Sequence, residues 1–320
     1  MTVMSYDLNA LVRAGHELRK IDATVSFEKI ARKYIELKTT VGRRGYGLVV
    51  GIKCLFLQFY YDLSDRELET RLRDDIAFRW FCGLTLDDQT PDHTFLCRIR
   101  TVLGARRVGQ VFKNIVQKAQ EKKIMRKVFT FVDATAVKAK ETTWEQRDQA
   151  LKDGEEKLNN GNVGNYSADK DARFGCKGKS KFWYGYKKHV SADMGSGMIE
   201  NVAVTPANVP DQDGVALICP DNRMVFGDKA YCLSPAQKAM QARGCHSGAI
   251  LKNNMKAKNK DKDRWLTSVR APFEGIFSKD ETRARYRGLM KMQLQAFMEA
   301  IVFNVKRLLV INAPPLFAGA

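Results

Sequence analysis

Two aspartates stand where they could do chemistry. Asp133 closes the apolar run "FTFVD", and Asp228 closes "MVFGD". An ionised carboxylate is costly inside a buried strand, so both belong at strand mouths or beside a positive partner. In open α/β sheets, chemistry gathers at such carboxyl ends. One strand-end Asp is commonplace, because Asp forms turns readily. Two in the same context, in a basic chain, point to a shared site. Two carboxylates suit a hard cation with oxygen ligands, Mg²⁺ above all. A third would let the site hold two ions, about 3.5–4 Å apart, that stabilise the attacking and leaving oxygens of a phosphoryl transfer.

Glu274, in "SVRAPFEGIFSKDETRARYRG", is the candidate for the third. Pro272 reads as the first residue of a helix, with Ala271 as N-cap and Glu274 in the first turn. That position fits two readings equally. A first-turn Glu favours the helix dipole by about 0.3–1 kcal/mol with no metal present, and an i, i+4 pair with Arg270 is equally ordinary. The same Glu could also be a ligand.

These residues need elements to hold them. Residues 1–123 read as helical throughout, with a capping box at Ser64 and Glu67, an N-cap at Asp92 and a stop at Gly104. The most apolar window, Tyr46 to Tyr61, carries Lys53 and Gln58 and reads as a buried helix, not a membrane span. The pattern changes at Val128. A strand over "VFTFVDATAV" precedes a polar loop at about 140–181, then the strands "FWYGYKKHVSAD" and "GMIENVAVT". After these come the helix "DQDGVALI", the strand "RMVFGD", the helix "SPAQKAMQARG", the strand "GAILK", a charged loop "NNMKAKNKDKDRW" and two final helices. Three strands followed by alternating helices and strands match a ribonuclease-H-like mixed sheet. The expectation is an all-helical domain over 1–123 and an α/β catalytic domain over 124–320 that ends in helices.

Bulk composition narrows the partner. The chain has 320 residues with 54 Lys and Arg against 36 Asp and Glu, a net +18, which favours a polyanion such as nucleic acid. The hydrophobic share of 44% excludes a disordered chain. Seven scattered cysteines form no C-x-x-C pair, and Cys232, Cys245 and His246 lack a second pair to complete a zinc site. They read as reduced thiols of a cytosolic protein. The N-terminus has no signal-peptide apolar core.

The blocks "FYYDLSDRELETRLRDDIAFRWFCGL", "TPDHTFLCRIR", "FVDATAVKAK", "KFWYGYKKHVSADMGSGMIENVAVTPANVPD", "GDKAY" and "RAPFEGIFS" with "RYRGL" occur in that order. In that order the chain resembles bacterial insertion-sequence transposases of the DDE class, the group containing IS-five and related to the IS-four group. The resemblance implies that Asp133, Asp228 and Glu274 form a metal-binding triad for two Mg²⁺ ions, with Mn²⁺ able to substitute. It implies cleavage of double-stranded DNA at the element's terminal inverted repeats and strand transfer into target DNA. It also implies a dimer or larger assembly on DNA, in the bacterial cytoplasm at the nucleoid. Three positions depart from the family pattern: Thr267 in place of a tyrosine, Glu281 in place of a lysine, and Ala230 in place of a glycine.

Because Glu281 leaves the phosphate-holding cation open, Arg270, Lys279 and Arg283 are the candidates for it. Lys187, Lys188 and Lys229 are further candidate DNA contacts. Trp265 either stacks on an unpaired base or anchors its loop. Arg43, Arg44, Arg71 and Arg73 make the helical domain a candidate reader of element ends. The departures also motivate two alternatives: a DNA-binding relative without catalysis, and a nuclease of the same fold without strand transfer.

Overall fold

The computed structural model describes residues 7–32, 46–140, 144–178, 180–256, 258–278 and 282–317; for 31, 32, 144, 274–278 and 282 only the backbone is described. The chain divides into two compact units, Met1–Lys122 with Phe297–Ala320, and Lys123–Ala296. Sequence reading placed everything after 123 in one domain. The contacts instead group the final residues with the helical N-terminal part, because the last helix is apolar and the helical core extends onto it.

The first unit contains α1 (Leu8–Leu11), α2 (Glu17–Thr24), α3 (Phe27–Arg32), α4 (Leu48–Tyr60), α5 (Asp65–Asp74), α6 (Ile76–Cys82) and α7 (His93–Glu121). Gly104 bends α7 with φ 58°, a conformation costly for any residue with a Cβ. Helix α5 begins with the expected capping box of Ser64 and Glu67. The rings of Phe27 and Phe56 lie 4.8 Å apart at the core, with Phe81 5.9 Å from each. Lys53 of α4 is buried and pairs with Asp22 at 3.1 Å, which lets a lysine sit in an apolar helix. Among the described residues no helix is long and apolar enough to cross a membrane.

The second unit is a mixed α/β layer structure. Its elements are β1 (Phe129–Lys138), α8 (Trp144–Lys152), α9 (Val163–Tyr166), β2 (Arg173–Lys177), β3 (Lys181–Asp193), β4 (Ile199–Pro206), α10 (Asp211–Ile218), β5 (Met224–Gly227), α11 (Ser234–Ala242), β6 (His246–Ala249), α12 (Lys260–Ser278), β7 (Thr282–Arg283) and the start of α13 (Leu289–Val310), a helix whose residues from Phe297 belong to the first unit. The sheet runs β2-β3-β1-β5-β6, with β4 also on β3 and β7 also on β1. Strand β3 is antiparallel to β1 and β4, whereas β5 and β6 run parallel to β1.

Alternation along the strands gives the sheet two apolar faces. Val132 and Val225 point to α10 and α11, packing with Val215, Ile218, Ala236 and Met240. Phe131 and Phe226 point to α12, packing with Leu266, Val269 and Phe273.

Two stretches differ from the sequence reading. The polar region at 140–181 is not one loop, since it carries α8, α9 and β2. Strand β2 pairs with the first residues of β3, and the buried Asp169 accepts from Tyr186 Oη at 2.6 Å and Gly288 N at 3.2 Å. Helix α12 starts at Lys260 rather than at Pro272, with Asn259 Oδ1 accepting from Asp261 N and Lys262 N, each at 3.0 Å. Pro272 therefore lies inside the helix.

Candidate active site

Strand β1 does not stop at Asp133; it continues to Lys138. What ends near Asp133 is its neighbour. Strand β5 pairs with β1 as far as Phe131↔Phe226 and gives way after Gly227, while β7 rejoins β1 only at Val137↔Thr282. A gap therefore opens beside residues 132–136, on the carboxyl side of β5. Asp133 and Asp228 each lie two residues beyond the Phe131↔Phe226 pair, on strands whose spacing is about 4.8 Å. Both residues lie two positions after Phe131 and Phe226 and so share their face.

Each carboxylate is held by one oxygen. Asp133 Oδ1 accepts from Ala134 N at 2.8 Å, and Asp228 Oδ1 accepts from Ala230 N at 2.8 Å as it caps the 3₁₀ turn Lys229–Cys232. Among the described residues the second oxygen of each has no hydrogen-bond partner. Burial above all pushes the Asp133 carboxyl up to about 6; the Ala134 amide opposes this, the negative charge of Asp228 adds to it, and Lys177 and Arg270 pull it down.

Helix α12 lies over the Phe131 face. Arg270 is buried, its guanidinium carbon 5.6 Å from the Phe131 ring centre. Phe273 sits 6.2 Å from Phe131, ring centre to ring centre. Glu274 is a residue of α12 one helical turn beyond Arg270, far from the helix start. The first-turn placement expected for it is thus corrected: the apolar positions 266, 269 and 273 keep the helix continuous through Pro272, and no N-terminal dipole acts on Glu274. Its side chain lies outside the described residues, as do Lys279 and Glu281 entirely, and Arg43 and Arg44.

The expected DNA contacts fall into different places. Lys187 and Lys188 lie on opposite faces. Lys188 is opposite Thr135 and so shares the face of Asp133, whereas Lys187 is opposite Ala136. Lys187 is buried against α10, where Nζ lies 2.7 Å from Asp211 Oδ1 and donates to Val209 O at 2.8 Å. The expectation that Lys187 meets phosphate is corrected: its charge is spent inside the protein. Lys229 and Arg283 are exposed. Arg283 lies in β7, and Gln295 of α13 fixes that segment, donating to Arg283 O at 2.9 Å and accepting from Arg285 N at 2.9 Å. Trp265 is 53% exposed in the second turn of α12, its ring 6.3 Å from Phe226, so it is neither a loop residue nor fully anchored. In the helical unit, Arg71 pairs with Asp75 and Arg73 with Asp74 on the surface.

Two residues near the carboxylates were not expected. Lys177, in β2, is a cation whose charge acts on Asp133. The polar composition of the segment hid that strand. Tyr231 of "GDKAY" is buried, with Asp133 and Asp228 among the charges that act on it. Its distance of three residues from Asp228 was the available signal.

A family described as "Transposase domain (DUF772)" matches residues 6–102, and one described as "Transposase DDE domain" matches residues 125–304. Among solved structures, the piggyBac transposase synaptic complex with hairpin DNA, determined by cryo-EM, is similar at 8% identity and a TM-score of 0.38, over 94% of this chain and 75% of that one.

Proposed function

The chain belongs to the DDE transposase family, and on that premise we propose that Asp133, Asp228 and Glu274 are its catalytic carboxylates. It is a DNA transposase, an enzyme that acts on DNA. Domains of this family generally use divalent metal ions. The residues present fit such an ion. Two adjacent carboxylates each offer an oxygen without a partner among the described residues, and their mutual repulsion is relieved by a cation.

We read the ion as Mg²⁺, with Mn²⁺ able to substitute and two ions per site. When bound, it supplies activation of the nucleophile and neutralisation of charge on the leaving oxygen. The chain's own residues do the positioning. Asp133 and Asp228 hold their carboxylates on two adjacent strands, each fixed by a backbone amide. Glu274 brings the third from α12. Arg270 offsets the negative charge from the α12 side. Lys177 and Lys188, with the exposed Lys229 and Arg283, are the cations for DNA phosphates, together with Lys279. Trp265 is exposed enough to stack on an unpaired base.

The reaction we infer is hydrolysis of a phosphodiester at the element's ends, followed by attack of the freed 3′-hydroxyl on target DNA. No covalent enzyme–DNA intermediate is involved. The substrate is double-stranded DNA with terminal inverted repeats, bound by a dimer or larger assembly in the bacterial cytoplasm. The order β4-β3-β1-β5-β6, with β3 alone antiparallel to its neighbours, supports a ribonuclease-H-like sheet. The block order supports placement in the IS-five group.

The observation that supports this reading is that Asp133 and Asp228 each lie two residues beyond the Phe131↔Phe226 pair of β1 and β5, with the charge of Asp228 acting on Asp133. The test is strand cleavage and joining on DNA carrying the element's own ends, with Mg²⁺ or Mn²⁺. Asp133→Ala, Asp228→Ala and Glu274→Ala should each abolish both reactions. Normal activity in Glu274→Ala would remove that residue from the triad.

A further inference from the structure

Strand β3 outlasts its neighbours. Strand β1 pairs with it from Asp193 back to Gly185, and β4 from Ala192 back to Tyr186. Residues 181–184 of β3 are paired as a strand with β2 alone, down to Lys177↔Lys181. The two strands therefore leave the sheet as a ribbon. Because β3 is antiparallel to β1, they leave at the end toward which β1 runs after Asp133. Gly185 is the point of departure: its φ is 145°, and a Cβ there would collide with Val137 O.

The root of this ribbon is fixed, and its tip is uncovered. Asn160 pinches Phe174: Oδ1 accepts from Phe174 N at 2.7 Å, and Nδ2 donates to Phe174 O at 3.0 Å. The Phe174 and Tyr184 rings lie 5.1 Å apart. Tyr184 and Tyr186 both donate to Asp169, so they point to one side, the side of Lys188 and Asp133. Alternation puts Phe182 on that side too. Near the turn Lys177, Lys181 and Phe182 are exposed, Phe182 by 70%. Lys177 and Lys181 face each other across the ribbon, and like charges directly opposite destabilise a strand pair. Neither has an ion-pair partner among the described residues. A phosphate strand relieves that repulsion, and a base offers the ring a flat face. A second copy of this chain would set the same lysines against these.

We propose that the β2–β3 hairpin grips the element-end duplex: Lys177 and Lys181 hold its phosphate backbone, and Phe182 presses on the face of a base that it unstacks. A groove of DNA admits a two-stranded ribbon, and apolar side chains of groove-binding proteins open base steps in this way. The proposal rests on the reading that the Asp133 end of the sheet meets DNA.

The experiment is binding of the full chain, without divalent cation, to element-end duplex in which fluorescent aminopurine replaces one adenine at a time. Its emission rises when the base unstacks. Three variants are compared: Lys177→Gln with Lys181→Gln, Phe182→Ala, and Lys238→Gln, an exposed lysine of α11 on the other face of the sheet. The double variant should lower the slope of log K against log salt by about two units, and Lys238→Gln should leave it unchanged. Emission should rise with the wild type and not with Phe182→Ala, whose affinity should fall by about 5- to 150-fold at an unchanged urea midpoint. A wild-type slope in the double variant, an equal fall in Lys238→Gln, or no rise in emission at any position overturns the proposal. Wild-type DNA binding by Phe182→Ala with loss of self-association in sedimentation also overturns it, by assigning the ring to another copy of the chain. Wild-type cleavage by Asp133→Asn in Mg²⁺ removes the reading of that end of the sheet, and this proposal with it.

Discussion

Asp133 and Asp228 each lie two residues beyond the Phe131↔Phe226 pair of β1 and β5, where β5 ends and β1 continues along β3. One strand thus carries its carboxylate in mid-course while its neighbour supplies another from the turn that ends it.

The two neighbouring lysines of β3 should behave oppositely. Lys188→Ala should weaken DNA binding and reduce the slope of log K against log salt by about one unit. Lys187→Ala should leave that slope unchanged. It should instead destabilise the protein by about 1–3 kcal/mol, because Asp211 is left without its cation. Salt-dependent DNA binding and urea unfolding of both variants check this; a changed slope in Lys187→Ala would return that residue to the DNA surface.

At the other end of the sheet, Arg223 and Glu200 form a pair at 2.7 Å, each side chain 7% exposed. Removing one partner strands a buried charge. Arg223→Met should destabilise by about 3–5 kcal/mol, whereas Arg223→Met with Glu200→Leu should recover most of the loss. Equal stability of the single and double variants in chemical denaturation would show that the pair is not coupled.

Stability should fall in mild acid through His189. Burial lowers its imidazole to about 4; Asp211 opposes this and Lys187 adds to it. Nε2 lies 2.8 Å from Thr205 Oγ1, and the ring packs under Gly214. The unfolded chain takes up this proton near 6.5, the native one only near 4. Between those values the unfolded state binds more protons, so the contribution is fully present above about 6.5 and is lost as pH falls toward 4. The full effect is on the order of 3 kcal/mol. Urea midpoints of wild type and His189→Gln from pH 7.5 to 4.5 measure it: the wild-type slope should be the steeper, and parallel slopes would contradict the assignment.

How far the sequence could be read depended on whether a feature was local. The apolar runs before Asp133 and Asp228 mark strands by themselves, and Ser64 with Glu67 marks a helix start. That Lys187 and Lys188 take opposite faces also follows from alternation. Which of them faces inward does not, because it depends on the pairing of Thr135 with Lys188 across the sheet. Pro272 misled because proline favours first helical turns, whereas the stripe of Leu266, Val269 and Phe273 carries α12 through it. The segment at 140–181 is polar, and what orders it is distant in sequence: Tyr184 and Tyr186 donate to the Asp169 backbone and side chain, and Gly288 N adds a third bond. For the same reason Lys177 could not be placed near Asp133 from its own neighbours.

The central claim is that Asp133 and Asp228 act as one catalytic unit. Its most direct test is the rate of Mg²⁺-dependent cleavage of element-end DNA by Asp133→Asn, Asp228→Asn and the double variant. Residues that act as a unit lose their effect together. Each single variant should fall by at least about 10³-fold, and the double variant should fall no further. Either single variant cleaving within about tenfold of the wild type, or losses that multiply in the double variant, would contradict it.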